Sequence, residues 1–268
     1  KMLKLAFFQS HKTSPNIKEN IDKIQKQIIN ASKKRVNIIV FPELFLSGYD
    51  NNSFTKSALK IPDKIPFNNS LNPLTKIANI AIKYNMDIIF GLCEYCQQNN
   101  KKIYYNTVIW IKSDGSLRAK YRKTHLWGSF ENKIFTPNKA KDPFQIVSAF
   151  GLKFGLLICY DIEFPEAARM YGIKGVDCLI CPTANPNDPW VSSILIPARC
   201  IENACFAVYV NYTRPHFCGT SVVSAPDGTI IAESNQTDEI LSIVNINNEK
   251  YKDFKNYNTY IHDMRPDA

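Results

Sequence analysis

Three residues suited to acyl chemistry sit just past runs that read as β-strands. Glu43 follows the run from Ile38 to Pro42. Lys123 ends the run from Leu117. Cys159 follows the run from Phe154 to Ile158. After Cys159 comes a short acidic stretch and then a helical-looking run from Glu166 to Tyr171. A cysteine between a strand and a helix occupies a tight elbow, its sulfur exposed and close to a helix N-terminus, whose dipole favours thiolate over thiol. A glutamate can take a thiol proton. A lysine, with the backbone N–H of Tyr160 as a second donor, can stabilise the oxyanion formed when sulfur adds to a carbonyl carbon. The protonated glutamate can then return its proton to a departing amine. Taken singly, each residue has a plainer reading: a core cysteine, a capping or surface glutamate, a solvated lysine.

The elements that must position these residues alternate along the chain. Leu3 to Gln9, Asn37 to Phe41 and Asp87 to Cys93 have the pattern of buried strands. Ile17 to Lys34 and Pro73 to Tyr84 carry apolar residues at helical spacing. Tyr104 to Ile111 and Ser116 to Lys123 form a hairpin across a turn-rich tetrad. The second half continues with a strand at Val176 to Cys181, a helix at Trp190 to Asn203, and strands at Cys205 to Asn211, Thr220 to Ser224, Thr229 to Glu233 and Leu241 to Ile246. With 45% hydrophobic and 21% charged residues, the 268-residue composition is that of an ordinary globular chain. These patterns predict an α/β layered structure with two sheets, one domain over residues 1–268, and its ligand crevice at the C-terminal strand ends.

Other function classes fit poorly. The net charge of +9 comes from scattered lysines with no interleaved aromatic residues, so no nucleic-acid partner is expected. No membrane partner is expected either, since no run is long and apolar enough to span a bilayer. Eight cysteines in apolar segments suit reduced thiols and a cytoplasmic protein. Cys93 and Cys96, with Cys178 and Cys181, are spaced too widely for a zinc ribbon, and i and i+3 positions of a strand face opposite ways. No metal or cofactor is expected. A Cys–His scheme using His125 is possible, but that residue reads better as a structural partner.

Phe41-Pro42-Glu43-Leu44, Tyr121-Arg122-Lys123-Thr124-His125-Leu126 and Cys159-Tyr160-Asp161-Ile162-Glu163-Phe164-Pro165-Glu166 resemble, in order and separation, the three signature motifs of the nitrilase superfamily of carbon–nitrogen hydrolases. The resemblance extends from Leu3 to about Pro266. It implies a four-layer αββα sandwich, usually paired into homodimers or higher assemblies. It also implies Glu43 as general base, Lys123 as oxyanion stabiliser and Cys159 as nucleophile through a thioester. Glu131 matches the family's second glutamate, which orients the lysine or the substrate amide.

The same motifs bear on the substrate. Cys159-Tyr160-Asp161 is similar to the amidase and carbamoylase branches, whereas nitrile hydrolysers typically carry Cys-Trp-Glu. At position 163, branches acting on ω-amides of dicarboxylic acids usually have an arginine that pairs with the substrate carboxylate. Here Glu163 would repel it. The expected partner is therefore a small neutral or amine-bearing amide, with an N-carbamoyl-amine as the alternative. A non-catalytic binding protein is the alternative of another class. Tyr49, Trp127, Tyr160 and Trp190 are candidate pocket walls. Asn185 reads equally as a substrate contact and as a loop cap.

Overall fold

The computed structural model describes residues 2–50, 53–62 and 72–265. Lys1 and residues 266–268, the two ends of the expected domain span, lie outside them. The strands in chain order are β1 (Leu3–Gln9), β2 (Ile38–Val40), β3 (Asp87–Gln98), β4 (Lys101–Ile111), β5 (Leu117–Arg122), β6 (Val147–Ala149), β7 (Leu152–Leu156), β8 (Cys178–Pro182), β9 (Phe206–Val210), β10 (Val222–Ser224), β11 (Ile230–Glu233) and β12 (Ile240–Ile246). The helices that matter for the site are α1 (Ile17–Ser32), α2 (Pro73–Tyr84), α3 (Gly128–Ile134), α4 (Pro165–Ile173) and α5 (Ile196–Asn203).

Two six-stranded sheets form, in the orders β12-β1-β2-β3-β4-β5 and β11-β10-β9-β8-β7-β6. In each, three parallel strands are flanked by antiparallel ones: β1, β2 and β3 in the first, β7, β8 and β9 in the second. Side-chain alternation along a strand sets the layers. Leu3, Leu5 and Phe7 of β1 pack in one core with Leu156, Ile180 and Val208 of the second sheet. Ala6 and Phe8 point the other way and pack with Ile21, Ile24 and Ile28 of α1 and Ile77 and Ala81 of α2. Across the sandwich, the Trp110 and Phe154 rings meet edge to face at 5.1 Å. Ala167, Ala168 and Tyr171 of α4 and Ile196 and Cys200 of α5 cover the outer face of the second sheet. The layers are therefore αββα, as the resemblance implied.

Most expected elements are present to within one or two residues. β3 is longer than expected, reaching Gln98, because Asn99 and Asn100 take left-handed backbone (φ 48 and 59) and close a two-residue turn into β4. The expected helix at Trp190 to Asn203 divides into a π-turn at Val191–Leu195 followed by α5. Pro197, in the first turn of α5, has no N–H to give, and the Ile196 N–H reaches back to the Val191 carbonyl instead. The short α3 and β6 were not expected. Among the described residues, no helix is long and apolar enough to cross a membrane, and all eight cysteines are unpaired.

Candidate active site

The parallel strands deliver two of the three chemical residues to one end of the sandwich. Glu43 lies beyond β2, where the chain turns sharply and Leu44 takes φ 51. This turn packs directly on the backbone of β3. A Cβ at Gly91 would lie 2.3 Å from the Leu44 nitrogen and 2.9 Å from the Glu43 carbonyl carbon, so only glycine fits there. The Tyr212 hydroxyl donates to the Glu43 carbonyl at 2.8 Å, and the Glu43 N–H donates to the Thr183 carbonyl at 3.4 Å. Cys159 follows β7 at the start of a short 3₁₀ turn, Cys159–Glu163, that leads into α4. Its φ of 47 is the left-handed conformation, rare for a residue with a side chain and typical of a nucleophile elbow held by its surroundings.

Lys123 leaves β5 with its backbone N–H bonded to the Asn106 carbonyl at 2.9 Å. Its side chain is only 1% exposed. Nζ donates to Glu43 Oε1 at 2.7 Å and to Glu131 Oε1 at 3.0 Å. An ammonium has three donors, so one remains for another acceptor. Glu43 Oε1 also accepts from Asn106 Nδ2 at 2.7 Å, while Glu43 Oε2 is buried without a hydrogen-bond partner among the described residues. Glu131 sits in the first turn of α3, and its Oε2 accepts the Trp127 N–H at 2.7 Å. The lysine is thereby clamped between two carboxylates, with one carboxylate oxygen of Glu43 left free.

Burial and charge set the protonation states. Burial works against the Lys123 ammonium, but the Glu131 and Glu43 carboxylates outweigh it and hold the group charged well beyond the usual lysine range. Burial pushes the Glu131 carboxyl up, and Glu43 adds to this against the pull of Lys123. Burial also pushes the Cys159 thiol well up; Glu43 reinforces it, and Lys123 only partly offsets the two. The expectation that a helix dipole favours the thiolate is therefore corrected. Enclosure and the facing carboxylate favour the thiol, and the element at its side is a single 3₁₀ turn and not a long helix.

A second set of contacts joins the Lys123 segment to the Cys159 elbow. Buried Asp161 accepts the Tyr121 hydroxyl at 2.9 Å, the His125 backbone N–H at 2.8 Å and the Ile158 N–H at 3.1 Å. His125 Nδ1 lies 2.8 Å from the same carboxylate, and its ring stacks on Phe164 at 4.0 Å. His125 is thus tied to structure, as its reading as a structural partner supposed. Arg199 of α5 holds the elbow from behind, donating to the Ile162 carbonyl at 2.9 Å and the Glu163 carbonyl at 2.7 Å.

The narrow cleft at the sulfur is lined by Tyr49, Lys123, Trp127, Cys159, Glu163 and Asn185, with Ala184, Pro186 and Asp188 completing it. Tyr49, Trp127, Ala184 and Pro186 also border a wider outer vestibule with Lys12 and His216. Asn185 is buried and organises its own loop. Its Oδ1 accepts from the Asp188 N–H at 3.1 Å, and its Nδ2 donates to the Asp188 carbonyl at 2.9 Å and the Tyr209 hydroxyl at 3.0 Å. The loop-cap reading of Asn185 therefore describes its contacts. Two expected wall residues lie elsewhere. Trp190 is 49% exposed at the start of the π-turn, on the outer surface. The Tyr160 ring packs edge to face on Phe164 at 4.9 Å and does not line the cleft. Asn106, Asp188 and Arg199 went unread in the sequence, and Asp161 was read only as part of a motif. Of these, Asn106 had a signal, a lone amide inside the apolar run of β4. Cys93 packs in the core while Cys96 faces Arg122 and Glu94, so the two do not converge. Among the described residues, no group of three or more His, Cys, Asp or Glu is placed to hold a metal ion.

A buried thiol, a carboxylate with a free oxygen and an ammonium with a spare donor around one narrow cleft can carry out acyl transfer. Comparison with known proteins agrees with this. The carbon–nitrogen hydrolase family model matches residues 4–256. A hydrolase from the pqqF 5′ region of Pseudomonas protegens is 32% identical, covering 100% of this chain and 90% of its own. An omega-amidase of Saccharomyces cerevisiae is 30% identical, covering 89% and 85%. An amidase from Nesterenkonia sp. superposes with a TM-score of 0.81 at 24% identity, covering 98% and 93%. The chain belongs to the carbon–nitrogen hydrolase family, the nitrilase superfamily.

Proposed function

We propose that the protein hydrolyses a small carboxamide, neutral or amine-bearing, to a carboxylic acid and ammonia through a thioester on Cys159. The observation that carries this reading is the Cys159 elbow facing Glu43, Lys123 and Glu131 around one cleft. Glu43 Oε2, which has no hydrogen-bond partner among the described residues, takes the thiol proton as sulfur attacks the amide carbon. The oxyanion is held by the third Lys123 N–H and by the Tyr160 backbone N–H, the donor next after the nucleophile. Glu131 keeps the ammonium aimed. As the C–N bond breaks, Glu43 returns its proton to the nitrogen, and ammonia leaves. Water then attacks the thioester with Glu43 again accepting a proton; the acid departs and the thiol is restored. In support, a variant of the amidase from Nesterenkonia sp. AN1 shows covalent addition of the acetamide moiety of fluoroacetamide at its active-site cysteine. Another variant has been seen with butyramide.

Relatives of this chain include a 2-oxoglutaramate amidase of Bacillus subtilis. Its named substrate carries a carboxylate, which Glu163 and Asp188 in this cleft would repel. Ammonia release from butanamide, an amine-bearing amide, an N-carbamoyl-amine, glutaramate and a nitrile, with Cys159→Ala as the blank, tests the reading. Uncharged or amine-bearing amides are expected to turn over at least tenfold faster than glutaramate or the nitrile. A preference for either of the latter would overturn it.

We also expect a homodimer or higher assembly in the cytoplasm. Met170 and Ile173 of α4, with Trp190 and Ile194 ahead of α5, expose apolar side chains that a second copy would cover.

A further inference from the structure

Glu163 and Asp188 come from different elements and meet in the cleft that holds Cys159. Glu163 ends the 3₁₀ turn after the nucleophile, and Asp188 belongs to the loop after β8. Their backbones are fixed. Arg199 Nη2 donates to the Glu163 carbonyl, and Asn185 holds both the N–H and the carbonyl of Asp188. Their carboxylates, by contrast, make no hydrogen bond or ion pair with any described residue.

The cations that face them are committed elsewhere. Lys123 is taken up by Glu43 and Glu131. Arg199 bonds the elbow carbonyls and Glu202. Two half-buried carboxylates left without a counter-charge beside a reacting sulfur are costly unless something positive joins them. Burial, and then the charge of Asp188, push the Glu163 carboxyl up to about 7, against the pull of Lys123 and Arg199.

We propose that Glu163 and Asp188 together bind a primary ammonium group on the substrate, so that the preferred amides carry a terminal amine on a short chain. This rests on the amide-hydrolase reading above and narrows it. Both carboxylates line the same narrow cleft as the sulfur, so the amine they take lies only a few carbons from the carbonyl. An ordinary alternative is that Glu163 merely sits ahead of the α4 N-terminus, where the helix dipole favours a negative charge.

The test compares 4-aminobutanamide with pentanamide, which has nearly the same size and no charge. At pH 8 the ratio of their kcat/KM values is expected to exceed ten. It should fall several-fold at pH 6, because Glu163 gains its proton as pH drops through about 7 and the amine stays charged throughout. Both Glu163→Gln and Asp188→Asn should move the ratio toward one, and either variant that folds suffices. Calorimetry on Cys159→Ala protein reads the same preference as a binding ratio without turnover. If neither amide is hydrolysed but the Cys159→Ala protein still binds the amine more than tenfold more tightly, the hydrolase reading fails and the ammonium site stands. A ratio near or below one in both turnover and binding, or a ratio indifferent to both substitutions, overturns the ammonium site.

Discussion

Replacing Lys123 with methionine is expected to abolish turnover and to destabilise the fold by about 3–5 kcal/mol. Among the described residues, Lys123 is the only cation bonded to two carboxylates that are themselves fully buried, Glu43 and Glu131. Methionine fills similar volume, so the loss arises from two buried negative charges facing each other without a counter-charge. The oxyanion donor goes as well, which by itself costs about 10²–10³-fold in rate. The destabilisation should depend on pH in a definite direction. Burial and Glu43 already raise the Glu131 carboxyl above its ordinary value, and losing the cation raises it further. A carboxyl whose folded pKa exceeds its unfolded one contributes its stability at low pH and loses it as pH rises through the folded value. The variant should therefore show a larger drop in urea midpoint, relative to wild type, at pH 8 than at pH 5. Equal drops at the two pH values would show that the carboxylates are not the source of the loss.

Glu43→Gln isolates the base. A glutamine oxygen can still accept from Lys123 Nζ and Asn106 Nδ2, which now converge on Oε1 at 2.7 Å each. The free Oε2 becomes an NH₂ that cannot take a proton. Folding should survive, with a urea midpoint close to wild type, while kcat falls by about 10²–10⁴-fold. The size of this effect follows from the state of the sulfur. Burial and the neighbouring carboxylate favour the thiol form of Cys159, so turnover calls for a base to remove its proton. If the sulfur rested as a thiolate, losing Glu43 would cost far less. A Glu43→Gln enzyme with more than a tenth of wild-type kcat would contradict this account of the proton path.

The sequence made the alternation of strands and helices legible because apolar periodicity reports burial on each face, and the layers follow from that. Glu43, Lys123 and Cys159 could be picked out because each follows a run that reads as a strand, and strand ends are where an α/β sheet leaves side chains free to converge. What stayed hidden depends on partners distant in the chain. Asp161 is one letter of a motif until Tyr121 and His125 arrive from β5 and the segment after it. Glu131 was picked out only through the family resemblance; on its own it looks like a loop carboxylate until α3 buries it against Lys123. Trp190 sits at what reads as a helix start near the cleft, but the π-turn ahead of Pro197 leaves it on the outside. The thiol state of Cys159 likewise depends on enclosure and on Glu43, neither of which a strand-to-helix pattern reports. The Glu163–Asp188 pair illustrates the limit on substrate reading. One carboxylate was visible in a motif, and the second came from a loop whose path only Asn185 and its partners define.

The central claim is that Cys159 forms an acyl bond with the substrate, and one measurement addresses it. Wild-type and Cys159→Ala proteins are given butanamide side by side and quenched in acid during turnover. The Cys159-containing peptide is weighed by mass spectrometry, and released ammonia is counted. The account predicts a butanoyl group on Cys159, on none of the other seven cysteines, and no ammonia from the variant. Ammonia release by Cys159→Ala at the wild-type rate, with no acyl group on Cys159 in the wild type, would contradict it.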